Sequence, residues 1–127
     1  MQPVNFKEMC RRRLNHCIDL MFGSKDKEYT RNNDKFHAFK SAGLMDNEAP
    51  ERSLWGMWKK QIVSIHDIIN DIDAGKPLPP YAHIAEKISD NINYSLLLEG
   101  LILERWMHEE LERLDKLPDL YAGTPLD

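Results

Sequence analysis

Two segments in the second half of the chain repeat apolar residues every three or four positions, the spacing of one helix face. The first follows Asp46 or Asn47, either of which can act as an N-cap, and continues to about Asp73. Its apolar positions are Leu54, Met57, Trp58, Ile62, Ile65, Ile68, Ile69 and Ile72. The second starts near Pro80 and continues to about Lys116. Because the loop GKPLPP between them is short, we predict an antiparallel helical hairpin.

The same spacing predicts two further helices in the first half of the chain. One extends from about Phe6 to Phe22, with Asn5 as its N-cap. A short helix extends from about Asp34 to Ala42 and ends at a glycine. No β-hairpin signal and no internal repeat is found.

These elements predict a fold class and a domain organisation. We expect an all-α fold, a four-helix bundle-like arrangement with two long central antiparallel helices. Residues 1–117 are predicted to form a single helical domain, and residues 118–127 an irregular C-terminal tail. From Tyr94 to Leu103 apolar side chains surround the last helix, more than one neighbour in a small monomer readily covers. We therefore expect a homodimer or a higher homo-oligomer.

Paired carboxylates are the candidate chemistry of the central hairpin. Asp67 and Asp71 lie one turn apart on its first helix, and Glu86 and Asp90 lie one turn apart on its second. Converging acids repel one another unless a cation neutralises them, and hard oxygen ligands suit Mg²⁺ or Mn²⁺. The sequence therefore predicts a metal site in which these four carboxylates meet.

The two acid pairs differ in the helix face that they occupy. Asp67 and Asp71 continue a polar stripe with Lys60 and Ser64, about 120° from the centre of the isoleucine face, so a solvated outer surface is the competing interpretation. On the last helix the acids share a face with Asn93 and two leucines, as the spacing of the following positions shows: Glu86, Asp90, Asn93, Leu97 and Leu101. Leucines on that face indicate contact with protein, so its polar residues are predicted to line a crevice.

Composition and charge narrow the function classes. With 17 basic and 21 acidic residues the net charge is −4, which gives no reason to expect a nucleic-acid partner. No apolar stretch approaches the roughly 20 residues that span a bilayer, and no signal-peptide pattern opens the chain. The run from Arg11 to Arg13 is interpreted as a solvated face or an acidic contact rather than a phosphate groove. Cys10 and Cys17 are expected to be reduced thiols in a cytoplasmic protein.

Four stretches of the chain carry a resemblance to a known family. They are K-D-K-E-Y at 25–29, F-H-A-F at 36–39, W-K-K-Q-I-V-S-I-H-D at 58–67 and E-K-I-S-D-N-I-N-Y at 86–94. In these the chain resembles the MazG-like all-α nucleoside triphosphate pyrophosphohydrolases, particularly their short bacteriophage versions. The resemblance implies a helical bundle, usually dimeric or tetrameric, in which acids of two adjacent helices hold Mg²⁺. It also implies hydrolysis of an often deoxy nucleoside triphosphate to a monophosphate and pyrophosphate.

The resemblance suggests roles for individual residues, although the acids here are spaced i, i+4 instead of the family's usual E-x-x-E and E-x-x-D. The expected metal ligands are Asp67, Asp71, Glu86 and Asp90. The expected catalytic residues are Asp90, Glu86 and Lys60, and the expected nucleotide-binding residues are Lys27, Tyr29 and Asn93. Phe36 and Phe39 either stack on the base or pack in the core.

Two other functions fit the same sequence. The first is a non-enzymatic phage or bacterial helical protein that binds a nucleotide, or that inhibits a host protein through its surface. The irregular spacing of the acids favours this alternative. The second is a structural helical oligomer, in which the charged segment E-R-W-M-H-E-E-L-E-R-L-D-K at 104–116 faces a partner.

Overall fold

The computed structural model describes residues 1–114, and the side chains of residues 1–109. It contains five helices: α1 Pro3–Phe22, α2 Asp26–Tyr29, α3 His37–Asp46, α4 Pro50–Asp73 and α5 Tyr81–Leu114. Within the described residues no β-strand forms, and Arg31 and Asp34 make an isolated bridge. The prediction of an all-α, bundle-like fold is therefore confirmed. The predicted end of the last helix near Lys116 and the predicted tail 118–127 lie outside the described residues.

The two long helices α4 and α5 form the predicted antiparallel hairpin. Far from the loop, Nε and Nη2 of Arg105 donate hydrogen bonds to the Glu51 carboxylate at 3.0 and 2.9 Å. Nearer the loop, the Trp58 indole donates to Oδ1 of Asn91 at 3.0 Å, and Nδ2 of Asn91 donates to the Gln61 carbonyl at 3.2 Å. The sequence separation of these pairs falls from 54 to 30 towards the loop, as it does only between antiparallel neighbours.

Helix α1 packs parallel to α5. Nη1 of Arg13 donates a hydrogen bond to Oγ of Ser89 at 2.8 Å, and Met21 and Leu97 belong to the same buried cluster. The offset is 76 residues in both pairs (89 − 13 and 97 − 21), so the two chains advance in the same direction. Residue 5 therefore lies beside residue 81, and the two helices begin at the same end of the molecule.

The predicted helix ends were less accurate than the helices themselves. Helix α1 begins at Pro3 with Gln2 as its N-cap, not Asn5, because the proline ring presets the first helical turn. The one-turn helix α2 was not predicted. Asp34 precedes α3 instead of starting it, in a turn where Asn32 and Asn33 have positive φ. Its Oδ1 accepts a hydrogen bond from the Phe36 amide at 3.0 Å.

A close backbone approach joins α3 to α4. Asn47 follows α3 in the left-handed conformation, and the Glu48 amide donates to the Gly43 carbonyl at 2.8 Å. This six-residue return is a Schellman motif, which ends α3 at Asp46 rather than at the predicted Ala42. A Cβ on Gly43 would lie 2.6 Å from the Glu48 carbonyl oxygen. Helix α4 consequently starts at Pro50, three or four residues after the predicted cap.

The core lies where α3, α4 and α5 meet the end of α1. Its buried apolar residues are Met21, Phe39, Leu54, Leu97 and Leu101. Phe39 is fully buried and stacks on Tyr29 with ring centroids 5.2 Å apart. This contact ties α2 to the core, although α2 buries no residue of its own.

Two glycine-to-alanine substitutions are expected to change stability in opposite directions. Gly43→Ala should lower the free energy of unfolding by about 1–3 kcal/mol, because the methyl group meets backbone that has no room to move. Gly56→Ala should raise it by about 0.5–1 kcal/mol, because Gly56 lies within α4 and its Cβ would meet nothing within 4 Å. Urea unfolding of both variants measures the two effects. If both substitutions changed the free energy of unfolding equally, the close contact between Gly43 and the Glu48 backbone would be contradicted.

Candidate functional site

A narrow crevice opens between the middle of α5 and the segment that joins α1 to α2. We call it the Asp90 crevice. It is lined by Met21, Lys25, Tyr29, Asp90, Asn93, Tyr94 and Leu97. Its volume is about 10 Å³, which admits one water-sized group. A larger ligand would therefore have to lie at its mouth.

The lining residues follow directly from helix geometry. On α5, Asp90, Asn93, Tyr94 and Leu97 are spaced three and four apart and so share one face. That face meets the core at Leu97 and the crevice at Asp90, as the pattern of leucines and acids predicted. Tyr29 reaches the crevice from α2, where its ring is held against Phe39.

The connection before α3 is held by one ion pair and by hydrogen bonds around Asp26. Lys35 Nζ donates to Oδ1 of Asp26 at 2.9 Å and also to the Met21 carbonyl. Oγ1 of Thr30 donates to the same Asp26 oxygen at 2.6 Å. These hydrogen bonds, from Thr30 and then from Lys35, lower the pKa of Asp26. The network fixes the ends of α2 and thereby the position of Tyr29.

A second set of ion pairs connects the turn before α3 to α5. Nζ of Lys40 lies 2.8 Å from Oδ2 of Asp34 and 2.6 Å from Oε1 of Glu104. The hydrogen bond from Lys40 lowers the pKa of Asp34. Lys35 and Lys40 therefore both hold the segment between α1 and α3 in place.

Asp90 is the partly buried acid of the crevice. Burial raises the pKa of its carboxyl group, Lys25 and Lys87 oppose the shift, and the carboxylates of Glu86 and Glu28 add to it. Asp90 thus lies in a field to which two other acids contribute. A cation or a proton at this position is attracted by the three carboxylates and repelled by the two lysines.

Asn93 and Tyr29 bring further polar atoms to the crevice. Asn93 is 8% exposed, and its Oδ1 accepts no hydrogen bond from the described residues. A buried amide oxygen without a donor is costly, so a bound ligand or water that donates to it would be stabilised. Burial, and then its hydrogen bond with Tyr94, raises the pKa of Tyr29, so that this hydroxyl stays protonated.

The structure brings together some of the predicted site residues and separates others. Asp90, Asn93 and Tyr29 line the crevice, and Glu86 lies exposed one turn before Asp90. Lys27 is exposed on α2 and is not among the lining residues.

The acids of α4 lie apart from the crevice. Lys60 and Asp67 are exposed and do not line it, and Asp71 pairs with Lys76 at 3.5 Å. In the part of the chain that the structure describes, no three histidine, cysteine or carboxylate side chains are arranged to hold a metal ion. The four predicted ligands therefore do not form one cluster in this conformation. The oxygen donors of the crevice suit a hard cation, but they do not form a ligand cage.

Sequence reasoning missed Lys25 and Glu28. Both belong to the K-D-K-E-Y stretch, in which only Lys27 and Tyr29 received roles. Positions 25, 28 and 29 share one face if this stretch is helical, and α2 is that helical turn. A single turn gives too short a periodic pattern to be recognised, although the acid and base spacing was visible. Lys25 and Glu28 also pair with each other at 3.7 Å.

Comparison of the chain with protein-family models, with curated proteins and with solved structures returned no match. Within the described residues, no helix combines the length and the apolar character needed to cross a membrane.

Proposed function

We propose that this protein binds a nucleoside triphosphate at the mouth of the Asp90 crevice and hydrolyses it, with Mg²⁺, to a monophosphate and pyrophosphate. The observation that supports the proposal is the meeting of two distant stretches. The stretches 25–29 and 86–94 both resemble the pyrophosphohydrolase family, and residues of both line one crevice, which includes the half-buried Asp90. About 60 residues separate the two stretches in the chain, so it is the fold, and not their closeness in sequence, that brings them together.

The residues of the crevice suit complementary tasks in this reaction. The ammonium group of Lys25, beside Asp90, provides a positive charge for phosphate oxygens. The protonated hydroxyl of Tyr29 is a hydrogen-bond donor, and Oδ1 of Asn93 is an acceptor. Asp90 can accept a proton from an attacking water, and a raised pKa favours this task near neutral pH.

Mg²⁺ carried in with the triphosphate would neutralise phosphate charge. Glu86 and Glu28 are the acids whose charges already act on Asp90, so they are the nearest candidates to face that ion. The metal would thus lie beside α2 and α5. Lys60, Asp67 and Asp71 would have no role in this site.

The alternative is a protein that binds a nucleotide, or a host protein, without hydrolysis. It is favoured by the absence of a preformed carboxylate cluster among the described residues. A panel of ribo- and deoxyribonucleoside triphosphates, incubated with Mg²⁺ and assayed for pyrophosphate release, separates the two functions. Release from at least one substrate supports hydrolysis. Saturable binding without release would support the alternative, and neither binding nor release would contradict both nucleotide functions.

The α4–α5 face supports the expected self-association. Two apolar grooves of about 340 and 540 Å³ adjoin at Ser95 and continue along the hairpin. Large exposed side chains on or beside these grooves are Ile62, Ile88, Leu96, Ile102 and Trp106. We propose that a second copy of the chain covers this face, because such a long apolar surface is unfavourable in water.

Light scattering at micromolar concentration is expected to give about twice the chain mass of 14.9 kDa. Ile102→Lys should yield the monomer, because it places a charge within the apolar face. Ile18→Lys, on α1, is the matched control: Ile18 is 51% exposed and Ile102 is 50% exposed. A monomeric wild type, or dissociation by both variants, would contradict the assignment of this face.

A further inference from the structure

A wider groove lies between α1 and the first turns of α5, away from the Asp90 crevice. We call it the α1–α5 groove. Its volume is about 640 Å³, within the range of roughly 300–1,000 Å³ that small-molecule sites occupy. The polar side chains that line it are Asn5, Glu8, Arg12, Arg13, His16 and Tyr81. It shares no lining residue with the Asp90 crevice.

Two helix N-termini lie side by side at this groove. Helix α1 begins at Pro3 and α5 begins at Tyr81, and the offset of 76 residues places these starts within about one turn of each other. Because the helices are parallel, the positive ends of both helix dipoles point the same way. Asn5 and Tyr81, from these first turns, both line the groove.

Basic side chains outnumber acidic ones in the lining of the groove. Its one carboxylate, Glu8, is already neutralised, since Oε1 accepts from Arg12 at 3.1 Å and Oε2 accepts from Arg11 at 3.3 Å. The lining has two arginines against one acid, hence a net charge of +1 before His16 is counted, in a chain of net charge −4. The groove is therefore a local basic region on an acidic protein.

Arg13 is held in place by a hydrogen bond to a buried serine of α5. Its Nη1 donates to Oγ of Ser89 at 2.8 Å, and Ser89 is fully buried. A guanidinium has five N–H donors, so this tether orients the group and leaves the others for a ligand. Anchoring a long side chain in advance reduces the conformational entropy that binding would otherwise cost. Arg13 is thus not part of a solvated face, as the run of three arginines had suggested.

We propose that the α1–α5 groove binds a small phosphorylated ligand of nucleotide size. Arg12 and Arg13 take the phosphate through charge-assisted N–H···O bonds. Tyr81 is 66% exposed and presents its ring to a planar group such as a base. The net charge of −4 disfavours a long polyanion, so the ligand is a small molecule rather than a nucleic acid.

An NMR titration in EDTA tests this site separately from Mg²⁺-dependent hydrolysis. The probes are inorganic pyrophosphate and thymidine monophosphate, with thymidine as the unphosphorylated control. Saturable amide shifts are expected at residues 5–16 and 81–85, and thymidine should bind at least ten times more weakly than its monophosphate. Shifts confined to residues 25–29 and 86–94, or no saturable shifts, would overturn the proposal.

Single variants of basic residues on α1 provide the matched comparison. Arg12→Gln and Arg13→Gln should each weaken pyrophosphate binding by about tenfold, as expected for one lost charge-assisted hydrogen bond. Lys7→Gln should change binding by less than about twofold, because Lys7 is exposed on α1 and does not line the groove. Equal loss in all three variants would show non-specific charge attraction and overturn the proposal. Arg12 is largely exposed, so its variant is expected to fold even if Arg13→Gln does not.

Discussion

Asp90→Asn is expected to reduce pyrophosphate release by about 100-fold or more while leaving the fold intact. The substitution preserves the shape of the side chain but removes the carboxylate that we propose as proton acceptor, and a positioned acid or base typically contributes a factor of about 10²–10⁴. Steady-state kinetics with the best triphosphate measures the loss. Asp67→Asn is the matched control, since Asp67 is an exposed acid outside the crevice, and it should retain activity.

The same substitution should raise the melting temperature in EDTA at neutral pH. Burial raises the pKa of Asp90 in the folded state, so the folded protein holds this proton more tightly than the unfolded chain does. Stability from this group is therefore present below the unfolded pKa and is lost as pH rises through the folded pKa. Asparagine avoids the loss, so the difference between variant and wild type should appear as pH rises and vanish in acid.

Melting temperatures of the wild type and Asp90→Asn, measured from acid to neutral pH, decide whether Asp90 has a functional or a structural role. A variant that melts at a lower temperature in EDTA and responds to Mg²⁺ as the wild type does would show that Asp90 is a structural partner of Lys25. That result would remove Asp90 from the proposed site.

Phe39→Ala is expected to lower the free energy of unfolding by about 3–5 kcal/mol, the range for a large aromatic residue removed from a core. Phe39 is fully buried, and its ring stacks on Tyr29 at 5.2 Å. The substitution would therefore leave a cavity and also release Tyr29 from its support. Urea unfolding measures the change in stability.

Phe6→Ala is the control for size and chemistry, because Phe6 is exposed on α1. It should cost less than about 1 kcal/mol, as most surface substitutions do. Similar losses in the two variants would contradict the burial of Phe39. A site at which Phe39 stacks directly on a base would predict the opposite pattern, with weaker nucleotide binding and little loss of stability.

The fold was largely predictable because the long helices carry strong periodic signals. The isoleucines of α4 and α5 repeat at helical spacing, and a loop of a few residues leaves only an antiparallel return. The helix ends depend on local chemistry that periodicity does not report. Pro3 starts α1 before its apolar stripe begins, and the left-handed Asn47 carries α3 one turn past its predicted end.

The site was predictable only where a helix face determines it. Asp90, Asn93 and Leu97 share a face of α5, so their common crevice followed from the sequence. Lys25 lines the crevice because an unpredicted turn, fixed by hydrogen bonds to Asp26, places it there. The residue pattern within a single helix does not indicate such a contact. Asp67 lies on the polar stripe of α4, and the solvated interpretation of that stripe agrees with its exposure.

Tertiary context also changed the interpretation of the arginine run. Three consecutive helical residues spread around most of the circumference, so no common target was expected. The parallel packing of α1 on α5 gives each arginine a different environment: Arg11 stays outside the groove, while Arg12 and Arg13 line it. That distinction depends on a contact between residues 76 apart in the chain.

The parallel packing of α1 also has a consequence for sub-global opening. In the described part of the chain, α1 contacts α5 and the short α2, and it buries only Cys17 and Met21. Few buried apolar contacts hold it, so its amides should exchange with solvent deuterium faster than those of α4 and the middle of α5. Equal protection would contradict this. Met21 of α1 and Lys25 just after it line the Asp90 crevice. Detachment of α1 would therefore remove one wall of the crevice and expose Asp90 to solvent, while the α4–α5 hairpin stays folded.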